Sequence, residues 1–282
     1  MNAHRVELFR REYRRAVDDL LPLFTRDRLA VLGRHNPGWG KSLDLAAYLR
    51  ASEKRYLYAL QMAEAVSPGS SGGTILDIGG FIGTFPLALA RMGADSVAIS
   101  EKYSYYYGAF DEVRDRLVAE GVRVWDKDLT KPLDPLPPER FGLVTAMAII
   151  EHLADSPKPL LENARSVLED GGRLLVEAPS IAYWPKRWGL LRGRSPHPSL
   201  REVFESEPPF TGHHREYTPD ELRDVMEWSG FRLDAAESFN YTPRDIATRW
   251  RPLLVWPSRL EGYREVLMVI GSADQRESRG QS

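Results

Sequence analysis

The feature that most constrains the fold is a short β-branched stretch that ends in a glycine-rich turn. Residues 74–78 read Thr-Ile-Leu-Asp-Ile, an apolar run with one acidic side chain near its end. The chain then passes through Gly79, Gly80 and Gly83 before a helical pattern begins at Phe85. Glycine permits sharp turns and leaves room for a ligand beside the main chain. In parallel α/β sheets, such a turn forms a nucleotide-type site at the carboxyl end of the first strand.

Strand-like and helix-like segments alternate downstream of this turn. The expected strands are residues 74–78, 96–100, 122–125, 141–147, 173–178, 231–240 and 263–270. The expected helices are residues 84–92, 104–120, 157–169 and 219–229. Ser156 is the expected N-cap of the third helix, and Thr218 opens a capping box for the fourth. The alternation predicts a parallel, doubly wound sheet with right-handed crossovers.

The segments outside this alternation suggest how the chain is divided. Helical periodicity over residues 3–21 and 42–66 is interrupted by a Gly/Pro-rich break at 33–40 and followed by a Ser/Gly linker at 67–73. Residues 179–217 hold prolines, two tryptophans and a basic cluster, which is typical of a lid or binding loop. We therefore expect a helical extension or lid at 1–70, a core at 71–242 with an insertion at 179–217, an insertion with Trp250, Trp256 and the final strand at 243–271, and a disordered tail at 272–282.

Composition excludes several classes of function. The 282-residue chain has a net charge of -2, which gives no basic field for nucleic acid, and it has no cysteine for disulfides, zinc binding or nucleophilic catalysis. No apolar run approaches the length of a membrane span. The charged amino-terminal segment lacks a signal-peptide core, so the expected location is cytoplasmic.

Acidic side chains follow the expected strands where parallel strand ends meet. Glu101 lies about 20 residues beyond the glycine turn, where a carboxylate suits the two hydroxyls of a ribose; it could equally be a solvated charge. Asp128 follows the third strand and suits an adenine amine or a simple turn. Glu151 and His152 follow the fourth strand and place an acid and an imidazole beside the same crevice.

Taken in order, these segments resemble the class I S-adenosylmethionine-dependent methyltransferases over roughly residues 70–240. The resemblance is carried by residues 76–83, 141–145, 150–153, 168–175 and 212–218. It is closest to the branch of ubiquinone-biosynthesis O-methyltransferases and of methyltransferases from polysaccharide and natural-product clusters. It implies a Rossmann-like, doubly wound α/β fold with a seven-stranded sheet whose last strand is antiparallel. One departure is Phe81, which replaces the middle glycine of the family's turn.

The resemblance implies a cofactor, S-adenosylmethionine, and a role for each matching residue. Asp77 would orient the glycine turn or the cofactor's amino group, and Phe81 would flank its methionine part. Glu101, with Lys102 beside it, would bind the ribose. Asp128 and Leu129 would hold the adenine, while Ala146 and Met147 would line the sulfonium. The cofactor-binding residues expected are Asp77, Gly79, Gly80, Phe81, Gly83, Glu101, Lys102, Asp128, Leu129, Ala146 and Met147.

A hydroxyl acceptor needs a base, and the candidate catalytic residues are Glu151, His152, His213 and His214. An imidazole has an ordinary pKa of about 6.5, which suits this task. His152 could instead hold the following loop, and residues 214–217 could brace the loop against the next helix. Glu151 and the histidines could converge on a divalent metal, but no His-x-x-x-His or paired-carboxylate motif supports one, so we expect no metal.

The sequence thus favours an S-adenosylmethionine-dependent methyltransferase that acts on a hydroxyl of a small molecule, a sugar or glycan first. The alternatives are an N-methyltransferase of a natural-product amine, a NAD-dependent oxidoreductase, and a non-catalytic binding protein on the same fold. The missing Gly-x-Gly-x-x-Gly pattern counts against the oxidoreductase. Nucleic-acid methylation is disfavoured because no Asn/Asp-Pro-Pro-aromatic motif follows the fourth strand. The helical extension could also form a homodimer interface.

Overall fold

A computed structural model of the chain describes residues 1–35, 44–132, 138–206, 210–240 and 257–273. Its strands are β1 (Thr74–Ile78), β2 (Ser96–Ser100), β3 (Arg123–Trp125), β4 (Phe141–Met147), β5 (Leu168–Pro179), β6 (Phe231–Phe239) and β7 (Val266–Ala273). They form one seven-stranded sheet in the order β3-β2-β1-β4-β5-β7-β6. Strand β7 runs antiparallel to both β5 and β6, which confirms the expected fold class.

The register of the parallel strands brings their carboxyl ends together. Asp77 on β1 pairs with Ile99 on β2 and with Thr145 on β4. Met147 at the end of β4 pairs with Glu177 on β5. Strands β1, β2 and β4 are nearly continuous apolar runs because helices cover both faces of the sheet. Polar side chains at their ends therefore face one shared crevice.

The helices are α1 (Ala3–Leu20), α2 (Arg26–His35), α3 (Leu45–Val66), α4 (Thr84–Arg91), α5 (Asp111–Ala119), α6 (Lys158–Ser166), α7 (Trp184–Leu190), α8 (Leu200–Glu205) and α9 (Pro219–Trp228). The capping box expected at the start of α9 is present: the Thr218 side chain accepts from the Glu221 backbone, and the Glu221 side chain accepts from the Thr218 backbone. Helix α2 was not expected from the sequence.

The amino-terminal helices pack directly on the sheet domain. Tyr56 of α3 stacks on Phe85 of α4 with ring centroids 4.6 Å apart, and Phe9 of α1 meets the same ring edge-on at 6.3 Å. The Tyr13 hydroxyl donates to the Leu49 carbonyl at 2.8 Å and so joins α1 to α3. These side chains belong to the same buried cluster as Ile75 of β1. The helices of residues 1–66 are therefore held by burial of aromatic surface.

Several boundaries differ from the expectation. The start of the helix expected over 104–120 is wrong, because a 3-10 turn at Tyr103–Tyr106 is followed by Tyr107 and Gly108 with positive φ, and α5 begins only at Asp111. A left-handed pair cannot continue a right-handed helix. The N-cap position of α6 is Pro157 rather than Ser156, although the Ser156 hydroxyl still accepts from the Lys158 backbone. Strand β5 begins at Leu168, ahead of the glycine pair expected to precede it. Strand β7 begins at Val266 rather than at residue 263.

The segment expected to be a linker at 67–73 is tied to its surroundings. Ser71 is buried; its backbone N–H donates to Glu64 at 3.0 Å, and its hydroxyl accepts from Arg5 at 2.8 Å. The Asp95 backbone N–H donates to the Gly72 carbonyl at 2.8 Å. These bonds fix the chain just before β1, so this segment positions the first strand rather than loosening it.

Several expectations lie outside the described residues. These are the larger part of the break at 33–40, the insertion with Trp250 and Trp256, and the tail from residue 274. Ser272 and Ala273, expected to begin the tail, are the last two residues of β7. Within the described part of the chain, no helix combines the length and the apolarity needed to cross a membrane.

Candidate functional site

The turn after β1 is shaped by glycines whose hydrogen atoms face other parts of the protein. Gly79 and Gly83 have φ values of 66° and 79°, which side chains disfavour. A Cβ at Gly79 would lie 2.1 Å from the Ile149 side chain, and one at Gly80 would lie 2.4 Å from the Asp77 Oδ2 atom. The chain therefore needs glycine here for its own packing as well as for the approach of a ligand.

Asp77 is buried under this turn with half of its carboxylate unused. Its Oδ1 atom accepts a hydrogen bond from the Thr145 hydroxyl at 2.7 Å. Its Oδ2 atom is buried and has no hydrogen-bond partner among the described residues. Burial raises the pKa of Asp77 to about 7, and the Thr145 bond and nearby Arg55 offset part of that rise. A buried acceptor without a donor is costly, so this oxygen is suited to a polar or cationic ligand group.

Glu101 connects the end of β2 to the glycine turn. Its Oε2 atom accepts from the Phe81 backbone N–H at 2.8 Å, and its Oε1 atom accepts from the Tyr106 hydroxyl at 3.2 Å. Burial raises the pKa of Glu101 to about 7 despite these two bonds. Each carboxylate oxygen has further lone-pair capacity, so Glu101 can still accept from the two hydroxyls of a ribose.

Phe81 adopts a backbone conformation that normally favours glycine. Its φ is 57°, in the left-handed region, which costs a non-glycine residue about 1–2 kcal/mol. Its ring packs 5.6 Å from Phe110 and 6.5 Å from Tyr48, and its carbonyl accepts from the Tyr103 hydroxyl at 3.3 Å. Phe81 therefore adopts a left-handed backbone that glycine would adopt without strain, and its ring adds an aromatic contact to α3.

The expected adenine-side residues have protein partners of their own. Asp128 accepts from the Thr130 backbone N–H at 3.0 Å and from the Tyr105 hydroxyl at 3.1 Å. Burial acts to raise the pKa of Asp128, but these donors outweigh it and the pKa lies below its usual value. Leu129 is buried in the apolar cluster that also contains Leu76 and Val144. The Lys102 ammonium donates to the Asp126 carbonyl at 3.3 Å and is held at the end of β3.

The end of β4 brings two apolar side chains to the crevice. Ala146 and Met147 are both buried, and the next residue, Ala148, has a φ of 55°. The Ala148 backbone N–H donates to the Glu177 carbonyl at 3.1 Å. A left-handed alanine is sparsely populated, and such positions cluster at functional sites. This turn directs the following residues, Ile149 to His152, back across the strand ends.

Glu151 and Glu177 add two more buried carboxyl groups beside this turn. Burial and neighbouring Glu177 raise the pKa of Glu151 to about 8, and its Oε2 atom has no hydrogen-bond partner among the described residues. Burial likewise raises the pKa of Glu177. Its Oε2 atom lies 3.5 Å from an Arg55 guanidinium nitrogen. Arg55, on α3, is the only buried cationic side chain in the part of the chain that the structure describes.

Arg55 is the site residue that the sequence analysis missed. It lies about twenty residues ahead of β1, in a helix whose periodicity marks only its apolar face. Its guanidinium lies 5.0 Å from the centre of the Tyr56 ring and lowers the pKa of Asp77, Glu151 and Glu177 relative to burial alone. An arginine on the apolar face of a predicted helix is the one signal that could have pointed to it.

His152 and His213 meet although 60 positions separate them in the chain. Their rings are 4.8 Å apart and nearly perpendicular. The His152 Nδ1 atom is 2.9 Å from the Thr211 carbonyl, and the His213 Nδ1 atom is 3.0 Å from the Glu216 carboxylate. Because both partners are acceptors, each Nδ1 carries the proton and each Nε2 presents a lone pair. The His213 Nε2 atom lies 4.0 Å from Glu151 Oε1.

Neighbouring groups shift the pKa values of His152 and of Glu216. Desolvation lowers the pKa of His152, and the nearby His213 lowers it further. Burial acts to raise the pKa of Glu216, but bonds from His213 and Lys186 outweigh it and the pKa lies below its usual value. Glu216 therefore stays charged and holds the His213 ring in one tautomer. His152 stays neutral and able to accept a proton at neutral pH.

His214 points elsewhere. Its Nε2 atom is 2.8 Å from the Phe210 carbonyl, its side chain is exposed, and its backbone N–H donates to the Glu151 carbonyl at 2.7 Å. Of the four candidate catalytic residues, the structure therefore brings Glu151, His152 and His213 together. The backbone of His214 ties the loop to the turn after β4.

The site has two halves, which we call the donor half and the acceptor half after the methyl donor and the methyl acceptor that the resemblance implies. The donor half consists of Asp77, the turn from Gly79 to Gly83, and Glu101. The acceptor half consists of Arg55, Glu151, His152, His213 and Glu216. The donor half offers an unpartnered carboxylate oxygen above a glycine turn, which fits a ligand with a cationic amine and a sugar diol. The acceptor half offers lone pairs that can take a proton, and Glu151, His152 and His213 could also hold a metal ion because their ligand atoms lie within 4.8 Å of one another.

Comparison with known proteins gives one family and a consistent fold. The family model described as a methyltransferase domain matches residues 48–236. No curated protein matches the chain in sequence. Among solved structures, an S-adenosylmethionine-dependent methyltransferase from Mesorhizobium loti is 20% identical with a TM-score of 0.51, covering 79% of this chain and 97% of that one.

Two further structures show the same fold at similar distance. A methyltransferase from Thermotoga maritima, described as a possible histamine N-methyltransferase, is 18% identical with a TM-score of 0.51 and covers 87% of this chain and 99% of that one. The magnesium protoporphyrin IX methyltransferase of Synechocystis PCC 6803, with bound S-adenosylhomocysteine, is 15% identical with a TM-score of 0.51 and covers 89% and 96%. At these identities the likeness shows the fold, while the family match covers most of the chain.

Proposed function

The chain belongs to the methyltransferase-domain family, with S-adenosylmethionine as the methyl donor, and from that premise we propose that it methylates a hydroxyl group of a small molecule. A sugar hydroxyl is the first candidate acceptor, which would place the reaction in polysaccharide biosynthesis. The sugar is supported by the resemblance of residues 212–218 to enzymes that act on glycans. The hydroxyl is supported by the acceptor half, because a neutral hydroxyl needs a base to become a nucleophile.

The observation that carries the proposal is the pairing of an anionic donor half with a basic acceptor half. Asp77 Oδ2 has no donor among the described residues and lies beside the glycine turn, where it would hold the cofactor's amino group directly or through water. Glu101 would accept from the ribose hydroxyls while the Phe81 N–H keeps it in place. Ala146 and Met147 would line the reacting centre without competing for the methyl group.

When bound, the cofactor supplies an electrophilic methyl group on a sulfonium centre. The protein's part is to align the acceptor, exclude water and take the acceptor's proton. His213 is the proposed base: its Nε2 lone pair takes the proton while its Nδ1–H donates to the charged Glu216. The charged Glu216 stabilises the resulting imidazolium, and Glu151, 4.0 Å from His213 Nε2, adds to this only once it has lost its own proton. His152 is the second base candidate.

The helical extension and the insertion would cover the acceptor. A guanidinium nitrogen of Arg55, on α3, lies 3.5 Å from the Glu177 carboxylate. The His213 Nε2 atom, in the loop before α9, lies 4.0 Å from the Glu151 carboxylate. Lys186 of α7 is paired with Glu216, and the Ile181 backbone N–H donates to the Tyr217 carbonyl at 3.0 Å. We propose that residues 1–70 and 179–217 act together as the lid that excludes water from the reaction.

A second candidate mechanism uses a divalent cation in place of the base. Glu151, His152 and His213 offer ligand atoms within 4.8 Å of one another. Each histidine has its Nδ1 oriented by an acceptor, which is the arrangement that metal-binding histidines usually show. A cation held there would bind the acceptor's oxygen and lower its pKa. No His-x-x-x-His or paired-carboxylate motif supports this candidate, which rests on the proximity of the three side chains.

The experiment that tests the function is a methyl-transfer screen with isotopically labelled cofactor against glycans, phenols and amines, read by product mass. We expect labelled product with a glycan hydroxyl and none with His213→Ala. Labelled products from amines alone would overturn the hydroxyl proposal and favour the N-methyltransferase alternative. No product from any acceptor, together with no binding of S-adenosylhomocysteine, would also contradict the role of the donor half in binding the cofactor.

The base and the metal are separated by a second measurement. The wild-type protein is dialysed against a chelator and assayed before and after addition of Mg²⁺, Mn²⁺ or Zn²⁺. Unchanged turnover after chelation supports the His213 base. Turnover that is lost and returns with one cation supports the metal, and calorimetric binding of that cation should then disappear in Glu151→Gln.

A further inference from the structure

The segment around α7 presents apolar and cationic side chains to solvent side by side. Leu190 is 60% exposed and Leu191 is 75% exposed, and Trp188 beside them is also exposed. Arg192 and Arg194 follow within the same turn. We call these five residues the α7 surface. We propose that the α7 surface docks the protein onto a membrane that contains anionic lipids. This proposal does not depend on which acceptor is methylated.

The charge of this segment contrasts with that of the whole chain. Residues 178–201 contain five basic residues and no acidic one, in a protein whose net charge is -2. In the part of the chain that the structure describes, no carboxylate lies within ion-pair distance of Arg192 or Arg194. The Arg192 guanidinium lies 4.9 Å from the centre of the Trp188 ring. Basic residues near an anionic lipid surface are attracted to it electrostatically.

The α7 surface lies on a helix that a hydrogen bond, an ion pair and ring contacts anchor to the rest of the protein. Arg187 donates to the Ala182 carbonyl at 2.6 Å, and its guanidinium lies 4.5 Å from the centre of the Tyr263 ring. Lys186 is paired with Glu216. Trp184 stacks on Trp188 with ring centroids 6.1 Å apart. The inward side chains of this helix therefore make contacts within the protein, whereas Leu190 and Leu191 remain mostly exposed to solvent.

Helix α8, later in the same segment, adds exposed apolar side chains but no net positive charge. Leu200 is 83% exposed and Phe204 is 85% exposed, while Arg201 forms an ion pair with Glu205 at 2.8 Å. Exposed large apolar side chains are normal when scattered singly, but a run of them next to basic residues marks an interaction surface. An aromatic ring with leucines and arginines is the composition that interfacial membrane segments use.

A lipid surface fits these residues better than a nucleic acid does. Phosphates would satisfy Arg192 and Arg194, but they would leave Leu190 and Leu191 in water. An anionic bilayer accepts both, because the arginines reach the headgroups while the leucines enter the acyl boundary. The surface also lies close to the acceptor half, since Lys186 of α7 holds Glu216, and Glu216 holds His213. A docked protein would therefore present its acceptor half near the membrane.

The test is sedimentation of the full chain with vesicles of phosphatidylcholine alone and of phosphatidylcholine with phosphatidylglycerol. We expect binding only to the anionic vesicles, weakening at high salt. Two double variants probe the surface: Leu190→Asp with Leu191→Asp, and Arg192→Glu with Arg194→Glu. Each should weaken binding by about tenfold or more. The matched control is Val118→Asp with Trp228→Asp, which changes two exposed apolar side chains elsewhere and should stay within about twofold of wild type.

Circular dichroism spectra that match wild type will show that the variants are folded. The proposal is overturned if the wild type ignores the anionic vesicles, or if it binds them and both α7 variants bind as tightly. It is also overturned if the wild type is a dimer that Leu190→Asp with Leu191→Asp dissociates, because a second copy then covers the surface. Binding to single-stranded RNA but not to vesicles, lost with Arg192→Glu and Arg194→Glu, would assign the surface to nucleic acid.

Discussion

The donor half and the acceptor half are built in different ways. In the donor half, Asp77, the glycine turn and Glu101 follow one another within 25 residues, at the ends of two neighbouring strands. In the acceptor half, residues come from α3, from the turn after β4 and from the loop before α9. Groups of the strands and of the adjoining turns hold the first half: the Thr145 hydroxyl bonds Asp77, and the Phe81 N–H and the Tyr106 hydroxyl bond Glu101. Side chains and loop carbonyls hold the second: Glu216 fixes His213, and Thr211 fixes His152.

This contrast predicts which residues affect cofactor binding and which affect turnover. A half made of strand ends and backbone donors is rigid and suits a ligand that is always the same. A half assembled from loops can change its partners without disturbing the sheet, and loops carry most variation in specificity. Changes in the donor half should therefore weaken cofactor binding, while changes in the acceptor half should reduce turnover and leave cofactor binding intact.

The largest expected effect is on turnover, in His213→Ala. Removing the base should lower kcat by about 10²- to 10⁴-fold, while the dissociation constant for S-adenosylhomocysteine stays within about twofold of wild type. The matched control is His214→Ala, whose ring bonds only the Phe210 carbonyl among the described residues and should leave kcat within a few-fold. Steady-state kinetics and calorimetry measure both. Equal losses of kcat in His213→Ala and His214→Ala would indicate that both of these histidines have structural roles.

The next effect is on cofactor affinity, in Asp77→Asn. The amide keeps the size of the side chain and can still accept from Thr145, but it removes the charge on the unpartnered oxygen. We expect S-adenosylhomocysteine to bind about 10- to 100-fold more weakly, the range of a hydrogen bond to a charged group. The change should be measured by calorimetry at pH 8, above the pKa of about 7. Unchanged affinity there would remove Asp77 from the binding site.

A smaller effect concerns stability and its dependence on pH. The pKa of Glu151 is about 8 in the folded chain and 4.5 for an ordinary glutamate. Between these values the folded chain holds a proton that the unfolded chain has lost, so stability falls as pH rises. Glu151→Gln should therefore be more stable than wild type by about 1–3 kcal/mol at pH 8.5 and equal to it near pH 4.

Thermal unfolding of Glu151→Gln and wild type across this pH range measures the difference. The same variant should lose turnover if Glu151 stabilises the imidazolium or binds a cation. A midpoint difference that does not change with pH would show that Glu151 is not the buried acid described above.

The smallest expected effect is in Asp128→Asn. The amide oxygen can still accept from the Thr130 backbone, and the amide nitrogen can donate to the Tyr105 hydroxyl; the lowered pKa of Asp128 is explained by the donors that its two oxygens have in the wild type. We expect cofactor affinity to fall by about threefold or less. A loss as large as that of Asp77→Asn would show that the adenine interacts with this carboxylate as the family resemblance implies.

The sequence predicted the donor half and missed part of the acceptor half for a physical reason. Strands β1, β2 and β4 were predicted to the residue, because alternation of strand and helix and the Asp77 glycine turn are local signals. Arg55 and the meeting of His152 with His213 depend on how distant segments pack, which no local pattern contains. The start of the helix expected at 104–120 was wrong because Tyr107 and Gly108 both adopt left-handed conformations, which a right-handed helix cannot contain and which the apolar spacing does not reveal.

Calorimetric titration of S-adenosylhomocysteine into three proteins tests whether the donor half, and not the acceptor half, binds the cofactor. The wild type and His213→Ala should bind with the same dissociation constant, and Glu101→Gln should bind about tenfold more weakly, because only Glu101 lies where the ribose is expected. No heat with the wild type, or equal binding by all three, would contradict the account.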